Sequence, residues 1–424
     1  MKLLAAAHVL PITSPPIVNG AIAVEDDRII AVGKREQIFE QFPDADVQDF
    51  GNAAMIPGLV NCHSHLEITS MRGALDDVEH DFTAWLMRLT DIRSKLSDDE
   101  IVDAATRGAR EAARAGVTCF GDIGRFGVAG FEALRAIGLR GIVFQETEFS
   151  PEDGTADADF RKLIEKFETC REKETAIVKV GLSPHSPYTV SPRLLGLIAD
   201  YARANDVKIS IHAAESAAEN ELLNEGTGFF RGAYDKFEVE WTSPRCSSIE
   251  YLDQVRILAA RPLLAHCVRV SDDDLKRIAD SGSAIAHCPK SNAKFGHGYA
   301  PFEAFLDAGI STGLGSDSVA SNNLCDIIEE ARFAALAARN REGSARFIPA
   351  EEVLRAGTLG GAKSLGLDHQ IGSLEPGKQA DLAVFSLDHP AMEPLGDIHA
   401  ALIFSSSGRD CIRTIVAGRD IYAV

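Results

Sequence analysis

Eight short β-rich runs, each followed by a longer helical pattern, constrain the fold of this chain more than any other feature of its sequence. Residues 98–115 and 192–204 are examples of the helical segments, because their apolar residues recur every three or four positions. The β-rich runs are residues 59–62, 117–120, 141–144, 177–182, 208–212, 262–266, 284–287 and 311–315. Eight strand-then-helix units in series predict an α/β fold, a closed parallel (β/α)₈ TIM barrel.

The two ends of the chain have a different pattern. Residues 21–24 and 29–33 are β-rich runs on either side of a charged turn, which is typical of a hairpin. Residues 380–385 and 412–419 are also strand-like, and Pro376 and Gly377 mark a turn before them. We therefore predict that residues 1–54 and 370–424 together form a small β-sandwich domain, and that residues 55–369 form the barrel.

The net charge of the chain excludes several classes of partner. The 424 residues carry a net charge of −20, which repels phosphate backbones and anionic lipids, so we expect neither nucleic-acid nor membrane binding. An anionic small molecule remains a possible ligand, because a local arginine can dominate the charge of its own pocket.

The cysteines bear on the cellular compartment. Eight cysteines without a C-x-x-C pair, several of them in apolar runs, favour a reducing compartment, the cytoplasm. The apolar start is short and contains His8, so we interpret it as mature structure and not as a signal peptide.

Side chains that can bind a metal follow the predicted strands at the points where these strands end. The active sites of such barrels lie at the C-terminal ends of the strands, so these side chains should meet at one rim. They are His63 and His65 after the first strand, His185 after the fourth, His212 at the end of the fifth, His266 at the end of the sixth and Asp317 after the eighth.

The spacing of His63 and His65 supports a metal site. In extended backbone, positions i and i+2 point to the same side, so both imidazoles can reach one cation. Three imidazoles and one carboxylate suit one divalent metal, Zn²⁺ first and Fe²⁺ or Mn²⁺ as alternatives, with a position left for water. A metal in such a site lowers the pKa of its water toward ~7.

Three rim residues have a structural alternative to a functional role. Glu215 follows His212 by three residues and could be an acidic residue at the start of a helix. Asp317 could cap the next helix, although Ser318 or Ser321 could serve equally well. His287 could line a pocket or support the turn after its strand.

Six motifs give the chain a family resemblance. Residues 57–65, 183–188, 212–215, 287–292, 315–318 and 372–382 resemble those of the amidohydrolase superfamily, in its branch of mononuclear deaminases and chlorohydrolases. The resemblance implies that His63, His65, His212 and Asp317 bind the metal. It also implies that Asp317 takes a proton from the attacking water and that Glu215 carries it to the ring nitrogen of the substrate. His266 would orient the attacking oxygen, and His185 would contact the substrate.

The same comparison favours one metal over two. Relatives with two metals usually have a bridging lysine at the end of the fourth strand, where this chain has His185. Lys179 lies early in that strand instead. The combined signature of cytidine-type deaminases, H-x-E together with P-C-x-x-C, is absent, because the sequence contains no P-C-x-x-C.

The substrate prediction rests on the segment after His65. Residues 63–67, followed by residues 82–86, are similar to aminodeoxyfutalosine deaminases of menaquinone synthesis. Methylthioadenosine-type relatives have a ribose-binding glutamate after the tryptophan, but residues 87–94 contain none. We expect Glu67 to bind ribose hydroxyls and Trp85 to contact the substrate. Arg88 or Arg93 would pair with a distal carboxylate, unless both are solvated helix residues.

The sequence therefore predicts a hydrolytic deaminase of a small heterocyclic substrate. An aminated purine nucleoside is favoured, and aminodeoxyfutalosine above others. The alternatives are methylthioadenosine or S-adenosylhomocysteine, a guanine or pterin, a chlorotriazine, and a scaffold barrel without activity. A homodimer is compatible with the sequence. Residues 229–244 are rich in aromatics and could close over the pocket or pack on the barrel.

Overall fold

A computed structural model describes residues 1–341 and 346–424. Sixteen strands within these residues follow one another as β1 Lys2–Val9, β2 Ile17–Glu25, β3 Arg28–Lys34, β4 Asp46–Asp49, β5 Ala53–Pro57, β6 Leu59–Ser64, β7 Val117–Gly124, β8 Arg140–Glu146, β9 Val178–Ser183, β10 Ser210–Ala213, β11 Leu263–His266, β12 Ala284–His287, β13 Thr312–Leu314, β14 Leu382–Ser386, β15 Cys411–Val416 and β16 Arg419–Ala423.

The α-helices surround and connect these strands. In the described residues they are α1 Arg35–Gln41, α2 Phe82–Arg93, α3 Asp98–Arg114, α4 Gly127–Ile137, α5 Ala156–Arg171, α6 Pro192–Asn205, α7 Ala217–Asn220, α8 Gly228–Lys236, α9 Ser248–Gln254, α10 Asp272–Ser281, α11 Pro289–Lys294, α12 Phe302–Asp307, α13 Val319–Asn322, α14 Ile327–Asn340, α15 Ala350–Arg355, α16 Gly361–Ser364 and α17 Ile398–Ala400.

Strands β6 to β13 close into a barrel. Strands β6–β9 form one parallel set and β10–β13 another. The two sets are joined by a parallel bridge between Leu182 and Ile209 and by a second one between Ser64 and Asp317. At the second junction the Asp317 N–H donates to the His63 carbonyl oxygen over 2.9 Å. The predicted (β/α)₈ barrel is confirmed, and each of the eight predicted runs overlaps one barrel strand.

Local sequence signals account for the helices that were predicted. Helix α3 begins after Ser97, which forms a capping box with Glu100, and its buried positions recur every three or four residues. Helix α6 begins with Pro192, and the Ser191 side chain accepts the Leu194 N–H over 3.2 Å. Both helices end within a residue of the predicted bounds.

The two chain termini share one sheet. Strands β16, β15, β14, β5, β1, β2 and β3 hydrogen-bond in that order, and β4 pairs with β1. The sheet places N-terminal strand β5 directly against C-terminal strand β14 in antiparallel register. The small β-domain built from both termini is thus present, and its strands hydrogen-bond as one eight-stranded sheet.

A buried ion pair links this small domain to the barrel. The Arg140 guanidinium at the start of β8 donates to both carboxylate oxygens of Asp381, over 2.7 and 3.1 Å, and both side chains are buried. Asp381 also accepts the Ala417 N–H over 2.8 Å. Because β8 starts at the N-terminal end of the barrel, this junction lies away from the rim where active-site residues are expected.

Two further observations bear on the sequence predictions. All eight cysteines are buried and none forms a disulfide. Among the residues that the structure describes, none of the helices has both the length and the apolar character needed to cross a lipid bilayer.

Candidate metal centre and active-site cavity

The C-terminal ends of the barrel strands bring the predicted metal ligands together. Ligand atoms of His63, His65 and His212 lie within 4.8 Å of one another, and so do those of His63, His266 and Asp317. His65 is partly buried and the other four side chains are buried. His63 and Asp317 are neighbours because the first and last barrel strands meet at the Ser64–Asp317 bridge.

The orientation of two imidazoles fits a cation between them. Nδ1 of His65 lies 3.1 Å from the carbonyl oxygen of Ile123, and Nδ1 of His212 lies 3.0 Å from the carbonyl oxygen of His185. Because a carbonyl oxygen only accepts hydrogen bonds, each Nδ1 carries the ring proton. The two Nε2 atoms then face each other across 3.2 Å with a lone pair each. This contact is repulsive unless a cation accepts both. Tetrahedral zinc with bonds of ~2.1 Å sets its ligand atoms about 3.4 Å apart, which matches this distance.

His63 and Asp317 complete the donor set. Oδ1 of Asp317 lies 3.5 Å from Nε2 of His63 and 3.5 Å from Nε2 of His65. Burial lowers the pKa of His63 to about 4 and that of His65 to about 3, so both rings are neutral near pH 7, as metal ligation requires. Burial alone would raise the pKa of Asp317, but the hydrogen bond with His63 holds that pKa well below its usual value.

Helix α11 holds two of these groups in place. Ser291 Oγ donates to Oδ2 of Asp317 over 2.6 Å, and Ser321 Oγ does so over 3.0 Å. The Asn292 amide oxygen lies 2.9 Å from Nδ1 of His266. Ser318, not Asp317, caps helix α13, so the capping alternative for Asp317 does not apply.

Glu215 faces the cavity and not the next helix. Its Oε1 lies 3.8 Å from Nε2 of His266 and 3.5 Å from Nε2 of His297. Helix α7 begins after Ser216, whose side chain is its cap. Burial alone would raise the pKa of Glu215, but the charge of His266 and the hydrogen bond of His297 lower it to about 2. Glu219 accepts the Glu215 N–H over 2.9 Å and fixes the loop.

One cavity of about 390 Å³ connects this cluster to the surface. His65, His212, His266, Glu215 and Asp317 line its inner end. Trp85 and Phe295 contact each other edge to face in its wall, with ring centroids 4.8 Å apart. His185 also lines the cavity, with Nδ1 2.8 Å from the Thr189 hydroxyl. Trp85 and His185 therefore lie where a substrate-contacting role requires them.

Two predicted substrate residues do not face this cavity. Arg88 pairs with Asp77 over 2.7 Å, and 43% of its side chain is exposed. Helix α2 turns Trp85, Leu89 and Arg93 toward the protein interior, and Arg88 lies off that face. The prediction for Arg88 is corrected to Arg93, which lines the cavity.

Glu67 supports the cavity wall from behind. It is buried, forms an ion pair with Arg93, and accepts the N–H groups of Arg125 and Phe126 over 3.2 and 3.0 Å. Its carboxylate is thus already engaged with protein donors, so the expected ribose contact of Glu67 is corrected to a role in holding Arg93.

The outer part of the cavity contains groups that the sequence analysis missed. Glu146, at the end of β8, is buried, and its Oε2 lies 3.9 Å from both Nη1 of Arg93 and Nε of Arg125. Phe149, Phe229 and Phe237 line the mouth and are 38–59% exposed. Two of these three rings lie in residues 229–244, so part of this aromatic segment does border the cavity.

Strand ends were the signal that could have revealed Asp122 and Glu146. The predicted second and third strands stop two residues before these carboxylates, whereas the observed strands β7 and β8 contain them. Asp122 accepts hydrogen bonds from the Ser64 hydroxyl and the Leu66 N–H over 2.8 and 2.9 Å, which fixes the chain on both sides of His65. His297 lies in a loop with no such signal.

Two other predictions concern residues outside the cluster. Lys179 lies half-exposed on the barrel surface and pairs with Glu174 over 3.2 Å, so it cannot bridge a second metal. His287 is buried and stacks on Phe302 with ring centroids 5.1 Å apart. His287 does not line the cavity of the metal cluster, but it does line a separate cavity of about 660 Å³, so both alternatives for this residue stay open.

Known proteins resemble this chain over almost its whole length. Residues 54–421 match the Amidohydrolase family, and residues 20–45 match an imidazolonepropionase-like composite domain of bacteria. The 5-methylthioadenosine/S-adenosylhomocysteine deaminase of Desulforudis audaxviator is 32% identical over 425 residues, 98% of this chain and 92% of that protein. The enzyme of the same name from Moorella thermoacetica is 30% identical over 419 residues, with the same coverage.

Solved structures agree in fold. An adenosine deaminase from Xanthomonas campestris with bound zinc has a TM-score of 0.86 and 26% identity, covering 100% of this chain and 93% of that one. Helicobacter pylori aminofutalosine deaminase in complex with methylthio-coformycin has a TM-score of 0.82 at 21% identity, covering 99% and 100%, which shows the fold alone.

The chain belongs to the amidohydrolase family, as its motifs indicated. The prediction that it is a hydrolase of carbon–nitrogen bonds is thereby confirmed. The zinc named in the X. campestris structure and the His-rich cluster together support a single metal site in this chain.

Proposed function

We propose that this chain is a metal-dependent deaminase that hydrolyses the exocyclic amino group of an adenine nucleoside. The observation that carries the proposal is the position of Glu215. Its carboxylate faces His266 and His297 at the inner end of the cavity, beside the ligand cluster. A carboxylate there can move a proton between water and a ring nitrogen. The names of the relatives, deaminases of adenine nucleosides, agree with it.

The reaction uses groups whose protonation states the site sets. A divalent metal bound by His63, His65, His212 and Asp317 would make a water molecule acidic near neutral pH. Asp317, whose pKa lies well below its usual value, is ionised and would accept one proton of that water. Glu215, which is ionised near neutral pH, would take over that proton and deliver it to the ring nitrogen next to the amino-bearing carbon, and the second proton of the attacking oxygen would pass to the amino group, which leaves as ammonia. The hydrogen bond to Asn292 fixes His266, which would orient the attacking oxygen and stabilise the charge that develops on the substrate ring.

The finer proposal is a nucleoside with a carboxylated aromatic group, as in aminodeoxyfutalosine, which would place the enzyme in menaquinone synthesis. Two arginines, Arg93 and Arg125, line the outer cavity, and Phe149, Phe229 and Phe237 form its mouth. Burial lowers the pKa of Arg93 only to about 10, so its guanidinium is charged at neutral pH. A guanidinium pair suits a carboxylate, and exposed aromatic rings suit an aromatic body.

Methylthioadenosine and S-adenosylhomocysteine are the second candidate substrates. The observation that favours them is that both curated relatives carry this activity in their names at 30% and 32% identity. S-adenosylhomocysteine also has a carboxylate that Arg93 could bind.

The test is ammonia release by the metal-loaded protein from aminodeoxyfutalosine, adenosine, methylthioadenosine and S-adenosylhomocysteine. We expect the highest kcat/KM for the first. Arg93→Gln should lower kcat/KM for carboxylated nucleosides while leaving adenosine unchanged, and Arg93→Lys should restore part of the loss. Arg88→Gln is the matched control on the same helix and should behave as wild type. Silence of the wild-type protein on all four nucleosides would refute the proposal.

A further inference from the structure

A second cavity of about 540 Å³, between the barrel and the C-terminal strands, is lined by five arginines. Helix α3 supplies three of them, the segment after His65 supplies one, and the chain just before β15 supplies the last. They are Arg107, Arg110, Arg114, Arg72 and Arg409. In a chain with a net charge of −20, so many guanidinium groups around one concave surface are unexpected.

The carboxylates of this cavity are already engaged. Glu111 pairs with Arg72 and accepts the Cys325 N–H over 3.2 Å. Asp326 accepts the N–H groups of Ile328 and Gly408 over 2.9 and 2.8 Å. Glu329 pairs with Lys290 over 2.9 Å, away from the arginines. Five guanidinium groups and three carboxylates leave this cavity with a net charge of +2.

Four of the five arginines have no carboxylate within ion-pair distance in the described part of the chain: Arg107, Arg110, Arg114 and Arg409. Each is exposed. Arg107, Arg110 and Arg114 lie three, then four, positions apart on α3, so their side chains share one face of that helix. The Arg114 guanidinium lies over the Tyr422 ring, 5.9 Å from its centroid, which directs it toward the same cavity.

We propose that this cavity binds a small anion with two or three linked phosphate groups. Guanidinium groups bind phosphate oxygens through two parallel charge-assisted hydrogen bonds, and several on a concave wall can engage neighbouring phosphates at once. The strongly negative charge of the rest of the molecule disfavours a nucleic acid, whose backbone extends beyond the cavity. The proposal does not depend on the deaminase assignment, because none of these residues lines the metal cavity.

The test is calorimetric titration of the full-length, metal-loaded protein with inorganic tripolyphosphate, pyrophosphate and orthophosphate at low ionic strength. We expect affinity to rise with the number of phosphates and to fall at high salt, where exposed charges are screened. Arg107→Gln/Arg110→Gln should weaken tripolyphosphate binding at least tenfold. Arg409→Gln, on the other wall, should weaken it as well. Arg203→Gln on α6, an exposed helical arginine far from this cavity in the fold, is the matched control.

Each result has a defined meaning. Binding by wild type and by Arg203→Gln, with loss in both cavity variants, supports the site. Absence of binding by wild type, or equal weakening by Arg203→Gln, would overturn it, since the attraction would then be absent or non-specific. Binding to vesicles containing phosphatidylglycerol without binding of free tripolyphosphate would also overturn it, because the ligand would then be a membrane surface. Circular dichroism and ammonia release check that the variants are folded.

Discussion

The inner and outer ends of the catalytic cavity are built in different ways. At the inner end several polar side chains have a second contact that fixes them, such as the Asn292 amide on His266 and the two serine hydroxyls on Asp317. At the outer end Phe149 and Phe237 are 47% and 59% exposed, and their rings contact each other at 6.0 Å between centroids. The contrast indicates that the ends of the barrel strands position the candidate metal ligands, whereas the side chains that would select the substrate under the proposed function lie on helices α2 and α8 and their neighbouring loops.

The largest expected effect is at the inner end. His65→Ala should remove a metal ligand and reduce both metal content and ammonia release. Changing residues that merely orient ligands typically costs 10- to 100-fold, so loss of a ligand should cost more than about 100-fold. Elemental analysis of the purified protein and a rate assay measure the two effects. His80→Ala, an exposed histidine outside the cluster, should retain metal. Full metal occupancy in His65→Ala would contradict the ligand assignment.

The next effect separates proton transfer from metal binding. Glu215→Gln keeps the size of the side chain but removes its proton-carrying carboxylate, so kcat should fall by about 10²- to 10⁴-fold. Metal content should not change, because Glu215 contacts His266 and His297 and is not in the ligand set. Glu225→Gln, an exposed position after α7, is the control. If Glu215→Gln lost its metal together with its activity, the two roles would not be separate.

The smallest expected effect is at the outer end. Phe237→Ala should lower kcat/KM for an adenine nucleoside with an aromatic 5′ group by about twofold to tenfold, the usual range for one aromatic contact. Activity on adenosine, which lacks that aromatic group, should stay at the wild-type value. Steady-state kinetics on both substrates measure the difference, and Phe347→Ala removes an exposed ring elsewhere as a control. Equal losses on both substrates would show that the outer end also shapes the chemistry.

The sequence predicted the inner end better than the outer end for a physical reason. Strand periodicity and strand ends locate Cα positions at the rim, so His63, His65, His212, His266 and Asp317 could be assigned to one site before the structure. Glu215 was assigned through the family motif at residues 212–215.

Which side chains line the outer end of the cavity depends on the rotation of a helix about its axis and on contacts between segments that are distant in the sequence. Arg88 and Arg93 both belong to α2, but only the packing of Trp85 and Leu89 decides that Arg93 faces the cavity. Glu67 could not be distinguished from a ribose ligand without its ion pair to Arg93. Glu146 was missed because the third strand was predicted two residues too short.

The junction between the first and last barrel strands has a consequence for the folding of this protein during its synthesis. His63 and Asp317 come from the first and last barrel strands, and these strands meet at the Ser64–Asp317 bridge. A chain still being synthesised contains His63, His65 and His212 well before Asp317, which follows the eighth barrel strand. The complete coordination set therefore exists only in a chain whose barrel can close, and metal retention becomes a measure of finished assembly.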